Sequence, residues 1–96
     1  MKYLPSVIKA RYMQDFVIEA TFDDGTIKAI DFSQWLEGPV FEPLKDRRFF
    51  RKFFLDGSTV AWPNGADIAP ETLYEAGAFE GGHNKRPQRT RIGARR

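Results

Sequence analysis

The chain contains no cysteine. That absence excludes disulfides, thiol catalysis and cysteine-ligated metals, and it fits a reducing compartment. Histidine occurs once, at His83. No apolar run approaches the roughly 20 residues of a membrane span. Met1-Lys2-Tyr3-Leu4-Pro5 lacks the apolar stretch of a secretion signal, so a cytoplasmic protein is expected. There is no phosphate-cradling glycine loop, because Gly81-Gly82 lacks the spacing such loops need. Ser6, Ser33 and Ser58 read as loop, cap and turn residues, and none has a nucleophile-elbow context.

What the chain does have is aromatic mass. Ninety-six residues suffice for one domain with one core, and nine phenylalanines dominate an aromatic content of 15%. Such rings are expected to gather in one cluster, where each buries much area at little rotamer cost. The formal charge of +2 is unevenly placed. Residues 1–76 are mildly acidic, whereas residues 77–96 hold six basic side chains and one acidic. Two regions follow: a compact domain over residues 1–77 and a basic tail over residues 78–96. The tail has too few apolar side chains to repay ordering and is expected to be disordered.

Period-2 alternation over Phe16 to Phe22, followed by Asp24-Gly25, predicts a β-hairpin in which Phe22 faces Ile27 and Ala20 faces Ala29. A preceding strand over Val7–Tyr12 pairs Ile8, Ala10 and Tyr12 with Phe22, Ala20 and Ile18, completing an antiparallel meander. Ser33 is placed to cap a short helix that Gly38-Pro39 stops, and Phe41 and Leu44 to plug the core. Asp46 can cap one turn through Phe49. A second hairpin around Asp56-Gly57 pairs Phe53 with Val60 and Arg51 with Trp62. The rival for this region is one amphipathic helix from Arg47 to Leu55. The densest segment is Trp62-Pro63-Asn64-Gly65-Ala66-Asp67-Ile68-Ala69-Pro70-Glu71-Thr72-Leu73-Tyr74. It reads as a strand end, a turn at Asn64-Gly65, and a short helix opened by Pro70 and closed by Gly77. The fold class expected is α+β: a small curved antiparallel sheet, a meander plus a second hairpin, with short helices.

That order of elements, with Gly38-x-x-Phe41-x-x-Leu44-x-Asp46 and the Trp-Pro-Asn-Gly and Ala-Pro-Glu-x-Leu-Tyr motifs, resembles the bacterial domain-of-unknown-function family 2442 over about residues 4–76. The resemblance implies a small α+β fold with no established activity and no accepted catalytic residues. Some relatives carry the domain ahead of a helix-turn-helix. Others are encoded beside a small partner protein, as in toxin–antitoxin pairs. The twenty residues after Ala76 lack the periodicity of a helix-turn-helix.

Three functions are weighed. The first is a non-enzymatic binding or regulatory domain, antitoxin-like, with a small protein partner. Its contact surface would be Trp62, Asn64, Asp67, Glu71 and Tyr74 with an exposed sheet edge, and a homodimer could form there too. The second is nucleic-acid binding through Lys85, Arg86, Arg89, Arg91, Arg95 and Arg96, which can release counterions from phosphates. A solubilising role explains the same tail. The third is an enzyme using Asp67 and Glu71 as acid and base. Against it, Asp67 can cap its turn or pair with an arginine, and Glu71 suits a helix start. Asp23, Asp24 and Asp31 have turn and junction roles. Arg47, Arg48, Arg51 and Lys52 flank rings that belong either to the core or to a base-stacking surface. No cofactor and no metal is expected.

Overall fold

A computed structural model describes residues 3–79. The chain forms β1 (Val7–Gln14), β2 (Val17–Phe22) and β3 (Ile27–Asp31), then two single 3-10 turns at Phe32–Trp35 and Glu42–Lys45. These are followed by α1 (Arg47–Phe50), β4 (Phe54–Asp56), β5 (Thr59–Ala61) and α2 (Pro70–Glu75). Strands β1, β2 and β3 make an antiparallel meander, and β4–β5 a separate hairpin. This is the expected α+β architecture.

The β2–β3 turn departs from expectation by one residue. Thr21 faces Ile27, Ala20 faces Lys28 and Ile18 faces Ile30. A two-residue Asp-Gly turn needs positive φ at both positions. Here only Gly25 adopts it, at +93°. Asp24 stays in ordinary space and uses its carboxylate to accept the Thr26 N–H at 2.9 Å. The loop therefore takes three residues, closed by Phe22 N–H to Thr26 C=O at 2.8 Å and Gly25 N–H to Phe22 C=O at 2.9 Å. One residue of slip turns a strand over. Ile27 ends up 62% exposed, Ile30 fully buried, and Lys28 on the core side.

Strand β1 keeps the expected Ala10–Ala20 and Tyr12–Ile18 pairs. A bulge between Val7 and Lys9 puts Val7, not Ile8, opposite Phe22 and leaves Ile8 58% exposed. A second irregularity past Tyr12 sets Gln14 against Val17, so the turn is Asp15-Phe16, with Asp15 at a φ of +44°.

The region from Arg47 to Leu55 is a short turn followed by a strand, not one helix. Asp46 caps α1 by accepting the Arg48 N–H at 2.9 Å. The β4–β5 register is two residues from the expected one, with Phe54 facing Ala61, Leu55 facing Val60 and Asp56 facing Thr59. The loop is Gly57-Ser58, with positive φ at Gly57 alone, which suits glycine in the first loop position. Arg51 caps the end of α1 and does not reach a strand. At the end of β3 the cap is Asp31 rather than Ser33: its carboxylate accepts the Ser33 N–H at 2.9 Å and hydroxyl at 2.7 Å.

The core closes around Trp62, which is 1% exposed. Its ring lies 5.6 Å from Phe50 and 5.8 Å from Phe32, centroid to centroid. Its indole N–H donates to the Phe50 carbonyl at 2.7 Å, satisfying both polar groups out of reach of water. Phe22, Ile18, Ile30, Leu44, Val60 and Leu73 complete the cluster, with Phe41 packed against it.

Trp62→Phe keeps an aromatic ring but leaves the Phe50 carbonyl unpaired. It should lower unfolding free energy by about 1–3 kcal/mol, read from the midpoint of chemical denaturation. Gly25→Ala meets no steric obstacle yet must hold a left-handed φ, and should cost about 1–2 kcal/mol in the same assay.

Candidate interaction surface

The Trp62–Tyr74 segment repeats the chemistry of the β2–β3 turn. Trp62 N–H donates to Ala66 C=O at 2.9 Å, Gly65 N–H to Trp62 C=O at 3.0 Å, and Asn64 Oδ1 accepts the Ala66 N–H at 3.2 Å. Gly65 sits at a φ of +92°. The Asn64 amide also donates to Val40 C=O at 2.9 Å, tying the turn to the loop before the Glu42–Lys45 turn. Beyond it, Asp67 bridges back to Ala61, and the Thr59 hydroxyl donates to the Ile68 carbonyl.

The residues nominated from sequence therefore separate. Trp62 is a core residue and presents nothing to a partner, because its ring and N–H are both consumed inside. Asn64 is exposed, with its amide oxygen committed to the turn and its amide nitrogen to Val40. Asp67 is exposed beside the strand bridge. Glu71 and Tyr74 come together on α2, since residues three apart are neighbours on a helix surface.

Tyr74 is the centre of a second arrangement that the sequence did not suggest. Its ring packs edge-on against Phe22 at 5.1 Å and Tyr3 at 5.3 Å. Its hydroxyl donates to Asp24 at 2.6 Å, and the Tyr3 hydroxyl donates to Asp23. Asp23 also accepts the Ser6 N–H at 3.3 Å, and its own N–H donates to Ser6 C=O at 2.9 Å. Residues 3–6 are thus fastened to the β2–β3 turn. From β3, Lys28 reaches under the helix end: its Nζ donates to the carbonyls of Tyr74 and of Ala76, the latter at 2.9 Å, and lies 5.4 Å from the Tyr74 ring centre. A cation on terminal carbonyls is the favourable end of the helix dipole. The chain then passes along β3, where the Phe79 N–H donates to Ala29 C=O at 2.6 Å.

Tyr3, Pro5, Glu71, Tyr74 and Glu75 line a hollow of about 320 Å³. The only sequence sign of it was Pro70-Glu71 opening a helix; the partner residue, Tyr3, lies some seventy positions away and carries no local signal. Among the described residues, no three of histidine, cysteine, aspartate and glutamate form a metal-holding group.

The basic cluster on α1 is largely spoken for. Arg47 pairs with Asp15 at 2.9 Å, Arg48 lies 3.8 Å from Asp46, and Arg51 stacks 4.9 Å from the centre of the Tyr12 ring. Phe50 is fully buried and Phe49 half-buried, so these rings serve the core. His83 and the tail cations Lys85, Arg86, Arg89, Arg91, Arg95 and Arg96 lie outside the described residues. No helix among those described is long and apolar enough to cross a membrane.

Removal of water around the Tyr3 hydroxyl, then its bond to Asp23 and the negative charge of Asp23 and Asp24, push its pKa up to about 12. The Tyr74 pKa is also raised, chiefly by its bond to Asp24, and that same bond, with the Thr26 N–H, holds Asp24 below the usual carboxylate range. A raised phenol pKa contributes stability below about pH 10, lost as pH climbs through the folded value. For Asp24 the contribution is present above the ordinary carboxylate pKa and lost as acid titrates it. In a rapid pH jump followed by phenolate absorbance, the chain should show a late phase near pH 12. That phase should vanish in Tyr3→Phe and persist in Tyr12→Phe.

A family model for DUF2442, described as a protein of unknown function, matches residues 7–79. No curated protein and no solved structure matches the chain.

Proposed function

On the premise that the chain belongs to the DUF2442 family, we propose that it is a non-enzymatic binding module for another small protein, in the manner of an antitoxin or regulatory subunit. The observation that carries this reading is the collection of exposed apolar side chains at one end of the meander. Ile8, pushed out by the β1 bulge, is 58% exposed, and Ile27, turned out by the three-residue loop, is 62% exposed. Leu4, at 68%, stands at the same end, since Tyr3 and Ser6 on either side of it are bonded to Asp23. Single exposed apolar residues are ordinary, but a group of them at one end of a sheet is a surface suited to burial against a partner. The proposed contact region thus moves from Trp62 to this end of the sheet, with Glu71 and Tyr74 kept as a second contact on the Lys28 face.

Asp67 and Glu71 do not support an acid–base pair as well as they support solvated positions. Glu71 belongs to the hollow and Asp67 to the strand bridge. The tail composition favours a second reading, in which Lys85, Arg86, Arg89, Arg91, Arg95 and Arg96 hold nucleic acid through phosphate contacts.

Affinity capture from the native host distinguishes the two. The full chain should retain one small protein at moderate salt, and Ile8→Asp/Ile27→Asp should release it while leaving the thermal midpoint within a few degrees. A variant with the six tail cations changed to glutamine should still retain it. Recovery of nucleic acid instead, lost with the tail variant and with added salt, would establish the second reading and sink the first.

A further inference from the structure

Most carboxylates of the fold are engaged in one of two ways. Asp15, Glu19, Glu37, Glu42 and Asp46 pair with arginine or lysine, and Asp23, Asp24 and Asp31 accept hydrogen bonds from tyrosine or serine hydroxyls. Asp56, Asp67, Glu71 and Glu75 have neither kind of partner among the described residues, and of these four Glu71 and Glu75 line one hollow. Two tyrosine rings and Pro5 supply the rest of its wall. Asp23 and Asp24, engaged by the tyrosine hydroxyls, add negative charge behind it. Among the described residues, the cation bonded into this neighbourhood is Lys28, which is spent on the carbonyls of Tyr74 and Ala76.

We infer that this hollow receives a lysine or arginine side chain from a basic segment of the protein partner. The chemistry is complementary in both parts. Pro5 and the rings of Tyr3 and Tyr74 suit the aliphatic stem, which long cationic side chains lay along apolar surface. Glu71 and Glu75 meet the charged head at the rim. An electron-rich ring beside the head adds a cation–π contribution, and Tyr74 already accepts one cation, Lys28, at 5.4 Å. A volume of about 320 Å³ suits one side chain rather than a large cofactor. The inference rests on the binding-module reading and adds to it the character of the partner.

The test is a titration of the isotope-labelled full chain with an arginine- and lysine-rich dodecapeptide, followed by amide chemical shifts. Shifts should concentrate at Tyr3, Glu71, Tyr74 and Glu75. Glu71→Gln/Glu75→Gln should weaken the affinity by about tenfold with its circular dichroism unchanged. A peptide with alanine at every basic position should not bind. Equal affinity in the double variant, shifts that map elsewhere, or binding of the alanine peptide would each overturn the inference. So would finding these amides already in their peptide-bound positions in the free chain and displaced when the six tail cations become glutamine, because the occupant would then be the protein's own tail. If Glu71→Gln/Glu75→Gln still captures the partner while Ile8→Asp/Ile27→Asp does not, the inference fails and the binding-module reading stands.

Discussion

One hydrogen bond inside an aromatic cluster organises this small fold. The Trp62 indole donates to the carbonyl of Phe50, so the residue that leaves β5 is joined to the residue that ends α1. Phe32, at the end of β3, packs against both rings. The single turn α1 and the two-stranded β4–β5 hairpin are too short to be stable alone. They become stable because each contributes a ring or a carbonyl to the same buried point. A polar bond of this kind also fixes orientation, which packing of rings alone does not, since a buried indole must find an acceptor.

Around that point the chain uses one turn design twice. In Phe22–Thr26 and Trp62–Ala66 an aromatic residue closes a three-residue loop, a left-handed glycine occupies the loop's last position, and an Asp or Asn between them accepts the following N–H. In both, the aromatic residue is fully buried. The design fastens a large ring at the start of the reversal and leaves the polar tip in water. That tip then becomes useful: Asp24 receives the Tyr74 hydroxyl, while Asn64 donates to Val40.

The architecture was legible from sequence because alternation, capping residues and Pro/Gly punctuation are local signals. Asp46 as a cap, Leu44 as a core plug and Pro70 as a helix start needed no distant information. Register was not legible in the same way. Asp24-Gly25 reads as a two-residue turn, yet Asp24 gains more by accepting the Thr26 N–H than by entering positive φ, and the loop lengthens by one. The bulge that exchanges Val7 for Ile8 is invisible to any pattern in which both are simply apolar. Those two slips decide which isoleucines face water, so they decide the surface as well. A large aromatic beside a turn, such as Trp62, can serve surface or core; only its acceptor at Phe50 settles which. The hollow joins Tyr3 to α2 across most of the chain, a pairing that local reasoning has no means to reach.

Helix α2 has six residues and cannot persist on its own local interactions. What holds its end is Lys28 on its last carbonyls and Asp24 on the Tyr74 hydroxyl, both donated by the β2–β3 hairpin. The dependence runs one way: the strands keep their own ladder without α2, whereas α2 loses its end contacts without the hairpin.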